Sequence, residues 1–332
     1  MKSDSNLERL LDAGHFAVTA ELGPPMSGDA DVIRKKAAIL RGFADAVNIT
    51  DCQTAVVRLS SIASAAILVQ EDLEPVMQMT VRDRNRIAIQ SDILGAAALG
   101  TRNCLCIAGD HQSFGAAGRL KGHPGAKNVY DVDSTQLLSI LRKMRDEGLQ
   151  EGGDPLEAPL PLFLGAAWTP MGDPVDFRVI RLAKKVAAGA DFIQTQGVYD
   201  VQQFAQIMKR VRARGLHERT AILAGIIVPK SAAMLRYMNS SVAGVSVPEA
   251  LMRRFPAVAK DASPAEKKEA RARSEEIGRQ IAVELIQQVR DIEGVRGVHI
   301  QAIEWEVAVP DIVRQAGLLP RPAVRPADAK PD

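Results

Sequence analysis

A carboxylate set inside an apolar run is the first residue in this sequence that could do chemistry. Glu21 follows Val18-Thr19-Ala20 and precedes Leu22-Gly23-Pro24-Pro25. Desolvation at such a place disfavours the charged form, so the carboxyl pKa is expected above its usual range, as a general acid working near neutral pH requires. A carboxylate paired with an arginine at a rim would read the same way. Asp110 ends a second apolar run as Ala108-Gly109-Asp110. Glycine there lets backbone approach a ligand, and the acid either accepts from the N–H groups of a heterocycle or caps the loop that follows. Gln196 can donate and accept at once, which suits the edge of a heterocycle and equally a buried amide satisfied by backbone. Asp200 reads as the N-cap of the next helix, and Cys104 and Cys106, on one face of a strand, read as core rather than as a redox pair.

Short apolar, β-branched runs carry these residues, and each is followed by a stretch of helical periodicity. Strands are expected at 15–22, 45–50, 75–80, 103–108, 162–166, 191–195, 221–226 and 298–303. Helices are expected near 30–42, 56–69, 84–99, 134–148, 175–188, 200–214, 231–238 and 305–316. Strands this apolar fit a parallel sheet covered on both faces, and eight alternations are the count of a closed α/β structure, the (β/α)8 TIM barrel. An open doubly wound sheet is the alternative, but no G-x-G-x-x-G follows the first strand. Barrel chemistry sits at the C-terminal strand ends. Here those ends carry Glu21, Asn48 to Asp51, Gln78 and Thr80, Gly109-Asp110, Trp168-Thr169, Gln196 and Glu304.

Residues 1–318 are expected to form this single barrel, and the Pro-rich stretch 319–332 is too polar to pack. A long basic helical insertion lies between strands seven and eight, opened by the capping box Ser263-Pro264-Ala265-Glu266 and closed at Gly294, its charges forming a solvated face. The segment Asp110 to Asp133, rich in Gly, His and Lys, is either a functional loop or disordered. With 46% hydrophobic and 25% charged residues the chain can bury a large core. Three cysteines without a CxxC pair support neither disulfides nor a metal site, and the first fifteen residues lack an apolar signal core, so a cytoplasmic protein is expected. A net charge of +2 and 4% aromatics point away from nucleic acid, and no run is long enough for a membrane, which leaves small molecules as the expected partners.

In their order along the chain, these motifs resemble the methylenetetrahydrofolate reductase family from about Phe16 to Gly317. Ala20-Glu21-Leu22-Gly23-Pro24-Pro25 is similar to the family's E-x-x-P-P signature, Asn103 to Asp110 to its fourth strand ending in Gly-Asp, Ala188 to Gln196 to its A-G-A…T-Q segment, and Gly225 to Pro229 to its G-I-x-P turn. The resemblance implies a flavin enzyme, with FAD or FMN, that reduces 5,10-methylenetetrahydrofolate to 5-methyltetrahydrofolate or runs in reverse. It makes Glu21 and Asp110 catalytic and assigns folate to Glu21, Asp110, Gln196 and Tyr199. Flavin contacts would fall on Thr50, Gln78, Thr80, Ala108, Gly109, Asp110, Tyr130, Asp131, Trp168, Lys184 and Lys185, the two lysines meeting its phosphates. A homo-oligomer is implied as well.

The sequence also departs from the better-known pattern. Gln78 stands for a histidine, Ala108 for an arginine, Ser231-Ala232-Ala233 for a stacking aromatic, and Glu304 for an asparagine. Asn48 to Ala55 and Thr80 to Arg86 look closer to the acetogen-type branch, so the electron donor is either NAD(P)H or a protein partner. Tyr199 or Trp305 could restore the missing stack. Two other readings remain: a non-redox folate-binding barrel that serves methyl transfer to a corrinoid protein, and an unrelated barrel such as an aldolase. The latter wants a strand-end lysine, and Lys230 sits in a turn.

Overall fold

In the computed structural model, which describes residues 1–113, 122–259 and 261–324, each expected apolar run is a strand. The strands are β1 (Ala17–Leu22), β2 (Ala46–Ile49), β3 (Pro75–Thr80), β4 (Asn103–Ile107), β5 (Phe163–Trp168), β6 (Phe192–Gly197), β7 (Ala221–Ile227) and β8 (Val295–Gln301). They close into a barrel in chain order, β8 pairing back onto β1, with every neighbouring pair parallel. Helices follow the strands on the outside, so the chain is a (β/α)8 barrel and not an open sheet.

Alternation of side chains along each strand sorts the barrel interior into layers. The lowest is apolar. Ala17, Ala46, Val76, Leu105, Phe163, Phe192 and Leu223 pack there against Leu7, Leu10 and Leu11 of a helix, Asn6–Asp12, that plugs the N-terminal end. Two residues further up the same strands the interior turns polar with Thr19, Asn48, Gln78 and Gln194, joined by His299 of β8. At this level β5 presents Gly165, where a Cβ would stand 2.2 Å from the Phe192 ring. Two further residues lead to Glu21, Thr80 and Gln196, so the period of the strands carries the chain from core to site.

The plugging helix was not among the expected elements. Its start is nevertheless written as Ser5-Asn6-Leu7-Glu8, the S-x-x-E pattern, and the Ser5 hydroxyl accepts from Glu8 N at 3.1 Å. Some boundaries also differ from expectation. β8 starts at Val295 and ends at Gln301, so Glu304 does not end it and lies exposed in the loop beyond. Arg296 lies within β8, and its guanidinium reaches out to Leu11 O while the strand continues. The helix expected to begin near 56 begins at Ser61, where Ser60 caps it. The long insertion helix, Pro264–Arg290, opens with the Ser263–Glu266 box and buries Ile281, Leu285, Ile286 and Val289.

Residues 114–121 of the Asp110–Asp133 segment and 325–332 of the Pro-rich stretch lie outside the described residues. In the part of that stretch in view, Leu319, Pro320 and Ala323 are exposed and Arg321 is the anchor. Arg321 grips the buried Asp45 carboxylate at 2.6 and 3.0 Å and Phe16 O at 2.8 Å. Asp45 in turn accepts from Val18 N at 2.7 Å, which ties the stretch to β1. Arg321→Ala strands a buried carboxylate and is expected to cost about 2 kcal/mol, read as a lowered urea midpoint with unchanged slope.

Candidate active site

The turn beyond β1 is held from two sides, by Lys36 Nζ donating to Gly23 O at 3.0 Å and by Arg58 Nη1 donating to Pro24 O at 3.0 Å. This fixes Glu21 at the barrel's C-terminal mouth with its side chain 20% exposed. Burial, reinforced by the like charge of Glu306 and opposed by Lys36, lifts its pKa to about 7. The neighbouring His299 has Nε2 4.0 Å from the Glu21 carboxyl, and burial pushes its pKa down to about 3. A neutral imidazole offers Glu21 no counter-charge, so the carboxyl can hold or release a proton near neutral pH.

Below it lies a polar floor. His299 Nδ1 is 2.9 Å from Thr19 Oγ1, which accepts from Gln194 Nε2 at 3.2 Å. Gln194 and Asn48 exchange amide hydrogen bonds at 2.6 and 2.9 Å. These four side chains form one connected hydrogen-bond network across the barrel.

Across the mouth, Asp110 accepts from Thr54 N at 2.8 Å, and its own carbonyl accepts from Arg82 Nη1 at 3.0 Å. Gly109 before it has φ +84°, and a Cβ there would lie 3.1 Å from Thr80, so only glycine fits this crossing without strain. Thr80 is pinned by Asp51, whose Oδ2 accepts from Thr80 N at 3.0 Å and Oγ1 at 2.9 Å and pairs with Arg84 at 2.6 Å.

Glu21, Asp110 and Gln196 thus border one cavity of about 590 Å³, a size usual for small-ligand sites. Gln78 and Thr80 of β3 and Trp168 of β5 line it, with Thr50 just past β2 and Ala108 and Gly109 just past β4. Gln78 is buried and lines this cavity with no hydrogen-bond partner for its amide among the described residues. Gln196 spends its Oε1 on Gly197 N at 3.0 Å and keeps its NH2 free.

Other expected residues lie apart. Tyr130 adjoins the rim, its hydroxyl donating to Gly109 O at 3.3 Å, while Asp131 pairs with Arg86 at 2.8 Å. Lys184 is exposed on the helix Val175–Ala188, and Lys185 is buried beside it, its pKa lowered chiefly by that burial. Neither lysine lines the cavity. Tyr199 is buried with its hydroxyl on Ile227 O at 3.0 Å, and burial raises its pKa. The Trp305 ring sits near two cations, 5.7 Å from Lys230 Nζ and 5.5 Å from Arg279. Sequence reasoning missed Thr19, Gln194 and His299, although each stands two residues before a recognised polar strand-end position or, for His299, before the cavity-lining Gln301.

The family model described as methylenetetrahydrofolate reductase matches residues 6–317. Methylenetetrahydrofolate reductase 1 of Schizosaccharomyces pombe is 27% identical over 261 residues, covering 76% of this chain. The chain spans 37% of that relative's length. Among solved structures, an uncharacterized protein from Clostridium thermocellum that binds two copies of 5-methyl-5,6,7,8-tetrahydrofolic acid superposes with a TM-score of 0.58. It covers 95% of this chain and 98% of its own at 14% identity, a likeness of fold.

Proposed function

The chain belongs to the methylenetetrahydrofolate reductase family, and from that premise we propose that it interconverts 5,10-methylenetetrahydrofolate and 5-methyltetrahydrofolate with a bound flavin, FAD or FMN. The observation that carries this reading is a carboxyl poised at about pH 7 on the wall of a cavity of ligand size. The same cavity suits a flavin ring: the unpartnered Gln78 amide can donate and accept at a heterocycle's edge, and Gly109 keeps the wall flat beside Asp110. Thr50, Thr80, Ala108 and Trp168 would complete that contact. When bound, the flavin supplies the hydride chemistry.

The chain's own residues supply orientation and charge. Glu21 gives its proton to the bridge nitrogen of the folate, which lets the methylene bridge open, and in reverse it takes that proton back. Bridge opening leaves positive charge on the folate, and the Asp110 carboxylate, fixed by Thr54 N, stabilises it. The free NH2 of Gln196 orients the pterin. The hydrogen-bonded polar floor needs no rearrangement as charge moves.

The proposed electron source is a protein partner, with NAD(P)H a poor substitute, because the ring of Tyr199 and that of Trp305 both lie off the cavity wall. Location in the cytoplasm and assembly as a homo-oligomer complete the proposal; no described helix is long and apolar enough to cross a membrane. The purified chain is expected to be yellow, and anaerobic stopped-flow mixing with NADH or NADPH should bleach it more slowly than a reduced electron-transfer protein or artificial donor does. Bleaching by NADH at the rate of steady-state turnover would remove the partner. A colourless chain that binds methyltetrahydrofolate would instead be a non-redox subunit for methyl transfer.

A further inference from the structure

Behind Glu21, outside the cavity, the helix Ala30–Leu40 meets the turn Glu306–Ala308 that follows β8. Lys36 on that helix reaches two acceptors with one ammonium group, Gly23 O at 3.0 Å and Glu306 Oε1 at 2.6 Å. Gly23 lies two residues past Glu21, and Glu306 lies past the strand that carries His299, 4.0 Å from the Glu21 carboxyl. One lysine therefore joins the ends of both strands around that carboxyl. The pair is largely buried, with side chains 22% and 8% exposed, and neither residue lines the cavity. An ion pair this buried adds little net stability over apolar side chains of the same shape, so folding alone does not account for it.

We propose that Lys36 and Glu306 are positioning residues for Glu21, an ion pair that locks the strand ends on either side of it and charges its surroundings from outside the cavity. This rests on Glu21 being the proton donor of the proposed reaction. The groups that face Glu21 are Glu306, whose charge favours the protonated carboxyl, Lys36, whose charge opposes it, and the neutral His299. At the rim, Arg58 stands 3.7 Å from Glu304 and is common to every variant below.

The signs of the two charges are opposite, and that separates a tuning role from a merely structural one. Glu21 must carry its proton to act, so the folate step slows as pH rises through its pKa of about 7. Glu306→Gln removes a like charge and should move that midpoint down; Lys36→Met removes the opposing cation and should move it up, each by about 0.5–1 pH unit. Lys36→Arg should keep the wild-type midpoint, and the double variant should return towards it. Glu21 can be titrated directly by difference infrared spectroscopy with Glu21→Gln as the blank, alongside the pH profile of single-turnover methylenetetrahydrofolate reduction. Opposite shifts support the proposal, while shifts in one direction or none overturn it. Should Lys36→Met fail to fold, Glu306→Gln decides alone, since Lys36 keeps its Gly23 contact there. A wild type that reduces no folate sinks the proposed function, while the infrared titration still decides whether the pair tunes Glu21.

Discussion

Glu21→Gln is expected to slow methylenetetrahydrofolate reduction by about 10²–10⁴-fold while leaving flavin binding and flavin reduction by the donor intact. Only the folate step needs a proton delivered at the bridge, and glutamine fills the same space without one to give. The same substitution should stabilise the fold. With its pKa raised to about 7 from the ordinary carboxyl value of 4.5, folded Glu21 holds its proton more tightly than the unfolded chain does. Wild-type stability from this group is therefore full below the unfolded value and is lost as pH rises through the folded one. Glutamine does not titrate, so the variant should exceed the wild type by roughly 2–3 kcal/mol at pH 8, a gap that closes below about pH 5. Urea denaturation at the two pH values reads this. A variant with full turnover would remove Glu21 from the chemistry, and one with no stability gain at pH 8 would mean its carboxyl is not strained by burial.

Asp110→Asn should slow the folate half-reaction by about 10²-fold and the donor half-reaction much less. Asparagine keeps an oxygen to accept from Thr54 N, so the loop after β2 stays in place and the charge alone is lost. Rapid-mixing measurements of each half-reaction separate the two. Equal slowing of both would make Asp110 a structural residue that merely ties β4 to that loop.

What could be read in the sequence and what could not follows from where each residue sits on its strand. Glu21, Asp110 and Gln196 stand where an apolar run gives way to polar residues, and the structure brings all three to one cavity. Thr19, Gln194 and His299 lie inside apolar runs and look like isolated polar residues until closure of the barrel stacks them into one layer. Their partners are up to 280 residues away, and no local pattern carries that. The plugging helix has only seven residues, too short for periodicity to stand out among its charges. Lys184 and Lys185 show the converse. Their helix ends at Ala188, four residues before β6 begins, which puts its last turn at the strands' N-terminal end, away from the mouth. The lysine pattern was legible in the sequence, but the direction of the helix decides what it faces.

The most direct test of the account is anaerobic mixing of the purified chain, in its oxidised coloured form, with 5-methyltetrahydrofolate while the visible flavin band is followed. This step uses the folate site, Glu21 and the flavin together and needs no electron partner. The account predicts that the band bleaches with one equivalent of 5,10-methylenetetrahydrofolate formed per flavin, and that Glu21→Gln abolishes the bleaching. Stoichiometric binding of 5-methyltetrahydrofolate with no flavin in the protein, or with its band unchanged, would contradict it.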